Sequence, residues 1–371
     1  MDFKQYFQLD SDFVHLNNAG CAPLTTRAVT ATKAALDAHA RQAYHWRPEF
    51  VQIFTQAREQ IANFIGTTAE RLAMTPNCAS GISSVARGLK FHSGDEILTW
   101  DQEYPSNAYI WYRVAQESGA KVVSLESEKN FEVNLDKMLS KINPRTRVVA
   151  ISWVQSIAGT ITPLKPLLEV CNKVGAWLVV DIFQGLGCLP FCLSDYPGMV
   201  VTSGTQKWLC GPLGHGFLAF SDDRYLELQP MFEGAMSFGG VDQTDLTRSY
   251  VASAARFEPG TPLLLTSIAA AASISCFQEF GVENIRSQNI LLRNHLIQGL
   301  QKLDAKIFGT LDSQNSGPHV TFIPRKNVDD CKRNLDLNHI SYVTKIQGLR
   351  FSPHAFNSFD DLDRALDCLK I

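Results

Sequence analysis

The sequence predicts an α/β fold: a large domain with a mostly parallel sheet sandwiched by helices, followed by a small C-terminal α+β domain. Three observations carry that expectation. Between about 96 and 220, short apolar runs rich in β-branched residues alternate with amphipathic stretches, as in parallel sheets buried on both faces by helices. From about Pro262 the alternation stops, and long helical segments precede short strands. The length, 371 residues, exceeds one ordinary domain and is ample for a core without disulfide or metal staples.

Each element has a local reason. Residues 96–100 and 121–125 read as strands around a helix at about 107–118. Residues 147–153 (Arg-Val-Val-Ala-Ile-Ser-Trp) form the next buried strand. Leu164 to Val174 is an amphipathic helix that tolerates Pro166 in its first turn and ends at Gly175. Strands follow at 177–181, 199–202 and 216–220. An Ala-rich helix starts near Leu264, a second spans about 282–303, and short strands follow at 319–323 and 340–344. The last helix begins near Ser358, with Asp360 and Asp361 in its first turn, where the dipole favours acids. The expected divisions are an N-terminal segment 1–20 at the substrate entrance, a large domain 21–262 and a small domain 263–371.

Composition excludes more than it names. The 34 Lys+Arg nearly balance 37 Asp+Glu, for a net charge of −3 and a pI of about 6.3. No basic excess points to nucleic acid or an anionic membrane. The N-terminus lacks the apolar core of a signal peptide, and no run approaches the roughly 18 apolar residues of a membrane span. Nine cysteines are scattered without a CxxC pair, which suits buried free thiols in a reducing cytoplasm. No metal is expected.

In an open parallel sheet, ligands bind beyond the carboxyl ends of the strands. The strand at 177–181 ends in Asp181, a carboxylate that is costly to bury unpaired. Alone it reads more readily as a cap of the next turn. The following strand runs into Ser203-Gly-Thr-Gln-Lys207-Trp-Leu-Cys-Gly-Pro212. A surface lysine is the plain reading of Lys207, but the apolar residues behind it argue for a desolvated, nucleophilic amine. Together the two residues supply an acid for a pyridinium nitrogen and an amine for an aldehyde, which is what pyridoxal phosphate needs from a protein. A phosphate site is available at Thr75-Pro-Asn77-Cys78-Ala79-Ser80-Gly81, where Asn77 can cap a helix whose first amides face outward. An ordinary capped helix would look the same.

The ordered set Asn77-Cys-Ala-Ser, Glu103-Tyr-Pro-Ser-Asn107, Asp181-x-x-Gln184, Ser203-Gly-Thr-Gln-Lys207 and Arg256-Phe-Glu-Pro-Gly-Thr-Pro262 resembles class V aminotransferases. These are fold-type I pyridoxal-phosphate enzymes that include cysteine desulfurases and isopenicillin N epimerase-like proteins. The resemblance runs from Asn17-Asn18-Ala19-Gly20 to Arg350-Phe-Ser-Pro-His354. It implies that Lys207 carries the cofactor and moves the substrate α-proton, and that Asp181 pairs with the pyridine nitrogen. Gln184 meets the phenolic oxygen and Tyr104 stacks on the ring. Cys78, Ala79, Ser203, Thr205 and Gln206 surround the phosphate, with one residue of register open around 203–206. Thr261 matches a residue that reaches the phosphate of the other subunit, so a homodimer is implied. Arg350 resembles the arginine that holds the substrate α-carboxylate, and Asn18, Ala19, His45 and Ser156 complete the expected substrate-binding set. His45, with Trp46 and Arg47, could equally be packing.

One departure matters. Desulfurases of this group carry a catalytic cysteine on a loop shortly before the arginine. Here Ile340-Ser-Tyr-Val-Thr-Lys-Ile-Gln-Gly-Leu-Arg350 has neither loop nor cysteine, and Cys331 falls in a helical stretch. The expected activity is an aminotransferase acting at Cα of an amino acid or amine. A carbon–sulfur or other β-elimination lyase and an epimerase are the alternatives, and a dimeric scaffold that has lost catalysis is the reading outside enzymes.

Overall fold

The computed structural model describes residues 2–43, 48–240, 242 and 244–370. After a short 3-10 turn, Phe3–Tyr6, come β1 (Val14–His15), α1 (Thr26–Gln42) and α2 (Pro48–Ile65). α1 starts where the Thr25 hydroxyl accepts the Ala28 amide, satisfying a donor the first turn leaves orphaned. Strands and helices then alternate: β2 (Leu72–Thr75), α3 (Cys78–Gly88), β3 (Glu96–Trp100), α4 (Tyr109–Ser118), β4 (Lys121–Leu125), α5 (Leu135–Leu139) and β5 (Thr146–Ser152). α6 (Leu164–Val174), β6 (Trp177–Asp181), β7 (Met199–Gly204) and β8 (Gly216–Phe220) complete this part. Gly175 closes α6 at φ 74°, the left-handed cap that glycine adopts without strain.

The seven strands of this part form one sheet, ordered β2-β8-β7-β6-β5-β3-β4. Neighbours are parallel except that β8 runs antiparallel to both β2 and β7. The segment between β7 and β8 is too short for a crossover helix, so the chain returns as a hairpin. Strand alternation divides the core. Val148, Ala150, Val179 and Val200 pack on α3 and α4. Val149, Ile151, Leu178, Val180 and Val201 face the other way, onto α2 and α6.

α7 (Leu264–Phe280) and α8 (Val282–Lys302) follow. α7 starts just after the division expected at 262, yet it sets Ala270 and Ile274 into the core beneath the large sheet. β9 (Lys306–Phe308), β10 (Val320–Ile323), α9 (Val328–Leu337), β11 (Ile340–Ser341), β12 (Val343–Lys345), β13 (Gly348–Phe351) and α10 (Phe359–Asp367) end the chain. A four-stranded antiparallel sheet, β12-β13-β10-β9, places Val320, Phe322, Leu349 and Phe351 against α8, α9 and α10. Its other face carries Thr321 and Arg350 toward the large sheet, where Thr321 donates to the Ile157 carbonyl. The N-terminal segment ties in through β1, which pairs in parallel with β11, and through Phe3, stacked on His354 and edge-on to Phe277. No single described helix is long and apolar enough to cross a membrane; α7 and α8 pass that test together but are bent by 80°.

A largely buried ion pair fastens α2 to the sheet edge. Arg58 grips Glu258 through both nitrogens at 2.6 and 2.7 Å, and Glu258 also accepts the Met74 amide of β2 at 2.7 Å. Glu258→Ala strands the guanidinium and should cost about 3 kcal/mol in chemical denaturation. The double change Arg58→Met with Glu258→Leu should recover part of that loss, because no charge is then left without its partner although the Met74 amide still loses its acceptor.

Candidate active site

Asp181 is the last residue of β6, and Lys207 lies just past the end of the adjacent parallel strand β7. Burial raises the Asp181 carboxyl above its usual range, against the opposing pull of the Lys207 charge, the Phe183 amide at 2.8 Å and a hydrogen bond from the Cys78 thiol. Burial lowers Lys207 to about 8, partly offset by Asp181 and deepened by the charges of Arg350 and Lys345. The amine stands 4.0 Å from the centre of the Phe183 ring and 5.5 Å from that of Tyr104, where the ring faces attract it. Two flat side chains thus flank a nucleophilic amine next to a buried carboxylate.

A chain of hydrogen bonds sets the floor of this opening. The Gln184 amide donates to the Ala19 carbonyl at 3.0 Å, and its oxygen accepts the Trp208 indole N–H at 2.8 Å. One amide hydrogen of Gln184 is left for a ligand. His354 accepts the Ala355 amide on Nδ1, so Nε2 carries the proton and donates to the Trp208 carbonyl. Asn18 donates to the Ser352 carbonyl at 2.8 Å, and the Ala19 amide donates to the Ser352 hydroxyl.

α3 supplies an anion site. Asn77 caps it by accepting the Ser80 amide at 2.9 Å, which leaves the amides of Cys78 and Ala79 pointing out of the first turn. A Cβ on Gly81 would lie 2.3 Å from the Thr202 hydroxyl, so glycine there lets α3 press onto β7. Thr202 also donates to the Cys78 carbonyl at 3.0 Å, fixing the helix start beside Asp181. Two of the residues expected around the phosphate have hydrogen-bond partners of their own. Thr205 is fully buried and donates its hydroxyl to the Pro212 carbonyl, which makes it a brace for the loop 205–215. Ser203 donates to the Gly204 carbonyl, and Gln206 is half-buried beside it. Cys78 contributes its thiol to Asp181 as well as its amide.

Arg350 reaches the same opening from β13. It is 3% exposed and donates to the Ser156 carbonyl at 2.8 Å. Ser156 therefore meets the site through its backbone, as an anchor for Arg350. Unpaired buried polar atoms collect here among the described residues: Arg350 Nε, His319 Nδ1, Gln155 Oε1, Asn17 Oδ1 and Asn18 Oδ1. Buried polar groups are nearly always paired, so this set marks a ligand-binding region. An acid partner, an amine, a helix start for phosphate and two flat walls fit pyridoxal phosphate. Thr261 is exposed and lines a cavity of about 280 Å³ with Phe54, Arg58 and Glu258, of which Lys207 is not a lining residue. His45 lies outside the described residues.

Sequence reasoning missed several contributors. Phe183 was readable as the residue two after Asp181, on the same face, but its packing against the lysine was not. Glu103 appeared only as part of a motif. It is a buried carboxylate taking Ser152 N at 2.8 Å, Ser152 Oγ at 2.5 Å, Gln155 Nε2 and Asn107 Nδ2, both at 2.9 Å. Burial raises its carboxyl, with these four donors opposing. It locks the loop bearing Tyr104 to the end of β5 and to the loop that anchors Arg350. Glu103→Ala leaves those donors facing each other and should cost about 3 kcal/mol, read as a fall in the denaturation midpoint.

The sequence pattern of Aminotransferase class-V matches residues 14–350. A probable cysteine desulfurase from Methanothermobacter thermautotrophicus is 26% identical, over 97% of this chain and 95% of that protein. Isopenicillin N epimerase from Amycolatopsis lactamdurans is 30% identical, over 61% of this chain and 58% of its own length. The structure of a cysteine desulfurase from Thermococcus onnurineus superposes with a TM-score of 0.89 at 22% identity, covering 97% of this chain and 94% of that one. That likeness speaks for the fold. With the acid, amine and anion site in the order the motifs require, the chain belongs to the class V aminotransferase family of pyridoxal-phosphate enzymes.

Proposed function

We propose that this enzyme is an aminotransferase acting at Cα of an amino acid or amine. The observation that carries the reading is the shared opening of Lys207, lowered to about 8, and Arg350, with a tight hairpin and no thiol before the arginine. When bound, pyridoxal phosphate supplies the electron sink for a bond broken at Cα. Asp181 would offer its carboxylate to the ring nitrogen and keep it protonated. The amides of Cys78 and Ala79 would hold the phosphate, and Tyr104 and Phe183 would flank the ring. Arg350 takes the substrate α-carboxylate in its planar fork. Lys207 would remove the Cα proton and, for transamination, give it up at the cofactor carbon and not at Cα, a task suited to an amine lowered to about 8.

The desulfurase name of several relatives is disfavoured by the chain itself. Cys331 is fully buried in the small-domain core on α9, and β12 and β13 meet with no cysteine between them. Elimination of a β-group without a protein thiol remains the second reading, because it uses the same proton transfer by Lys207. A homodimer in the cytoplasm completes the proposal. Thr261, exposed and on a cavity that its own Lys207 does not line, is suited to the phosphate of a second copy.

Amino acceptors separate the readings. The pyridoxal-phosphate form mixed with amino acids should turn over continuously only when a 2-oxo acid is supplied; product release without an acceptor identifies a lyase instead. Lys207→Ala should abolish turnover in either case. The pKa of Lys207 has its own consequence. The neutral amine is the nucleophile, so cofactor-free protein should attach added pyridoxal phosphate faster as pH rises, levelling off above about 8. A rate still climbing toward the usual lysine range would show that the amine is not lowered.

A further inference from the structure

Lys345 is a cation that the reaction described above does not use. It ends β12, opposite Gly348 of β13, two residues along from the Val343–Arg350 pair. Strand alternation therefore puts Lys345 on the Arg350 face, while Leu349 and Phe351 turn away into the small-domain core. Gly348 carries no side chain between them, and a Cβ there would lie 2.2 Å from the Phe322 carbonyl. The turn joining the strands is Ile346-Gln347, with φ of 48° and 61°. Positive φ at a β-branched residue is strained. A turn this short sets the register, and one residue more would swing Lys345 to the opposite face.

The surroundings of Lys345 leave its charge without a counter-ion. It is half-buried, with no ion pair or hydrogen bond from its ammonium among the described residues. Its charge is felt at Lys207, and that of Arg350 is felt at Lys345. The opening thus holds three cations, Lys207, Arg350 and Lys345, against the carboxylate of Asp181. The cofactor phosphate is met at the start of α3, and one substrate carboxylate is met by Arg350. One cation stays unmatched on the Arg350 face of the strand pair, where partial desolvation strengthens its pull on an anion.

We propose that Lys345 receives a second carboxylate, at the far end of the substrate side chain, so that the site selects dicarboxylic amino acids over neutral ones of equal length. This rests on the amino-acid reading given above. The test uses the wild-type pyridoxal-phosphate enzyme, Lys345→Gln and Lys345→Arg. Cofactor absorbance is followed with three matched pairs: aspartate and asparagine, glutamate and glutamine, 2-aminoadipate and norleucine. The acid of at least one pair should react about tenfold or more efficiently than its neutral partner in the wild type. That ratio should fall about tenfold in Lys345→Gln and persist in Lys345→Arg. Equal ratios in wild type and Lys345→Gln, or neutral members preferred in all pairs, overturn the proposal. So does loss of the cofactor from Lys345→Gln with its ratio intact, which would assign Lys345 to the phosphate. If none of the six compounds reacts while borohydride and mass spectrometry find the cofactor on Lys207, the amino-acid reading falls and this proposal with it.

Discussion

One carboxylate ends β6 and one amine stands just past the end of β7, beside strands whose cores are apolar on both faces. Burial pushes Asp181 up and Lys207 down, each toward its neutral form, while their attraction pulls the other way. The Cys78 thiol and the Phe183 amide weigh in on the side of the carboxylate. Such a pair persists only where the framework over-determines both positions, since a lone buried charge would cost several kcal/mol. The parallel register of β6 on β7 does this for Asp181. The close approach of α3, allowed by Gly81, does it for Cys78 and the phosphate-facing amides.

Lys207 itself is held by residues far away in the chain. Trp208, next to it, is fully buried and bonded at its indole to Gln184 and at its carbonyl to His354. Gln184 continues to Ala19, and Ser352 closes the circuit on Asn18 and Ala19. N-terminal segment, large sheet and small domain thus meet in one polar chain. β1 on β11 and Phe3 on His354 bring its distant ends together. The residue next to the reactive amine is thus tied to segments near both ends of the chain, which links the site to completion of the fold.

Strand and helix positions were legible because they follow from period and punctuation. The strands at 96–100, 121–125, 177–181 and 216–220 and the helix at 164–174 lie as the pattern has them. Strand direction was not legible: β8 looks like its parallel neighbours in composition, and only the brevity of 205–215 hints at its reversal. The same divide runs through the site. Asp181 and Lys207 stand out because charge in apolar surroundings is locally visible. Glu103, His319 and Phe183 do not, because what distinguishes them is who packs against them. Thr205 shows the converse. A hydroxyl next to the phosphate motif looked like a phosphate donor, yet the fold spends it on Pro212.

The short β12–β13 hairpin decides what chemistry is open to this chain. A mobile loop could carry a thiol to a substrate sulfur; a two-residue turn with both residues at positive φ cannot move that way. Cys331 is sealed in the core on another element. Cys21 is exposed as a residue, but partial desolvation of its thiol outweighs the pull of the Lys207 charge and keeps it above the usual range. A thiol raised in this way is protonated near neutral pH and is a weak nucleophile. With those thiols unsuited to attack and the turn short, the strand pair that carries Arg350 and Lys345 offers cations and no thiol. On the function proposed above, such a wall would recognise anionic groups and leave bond-breaking at Cα to Lys207.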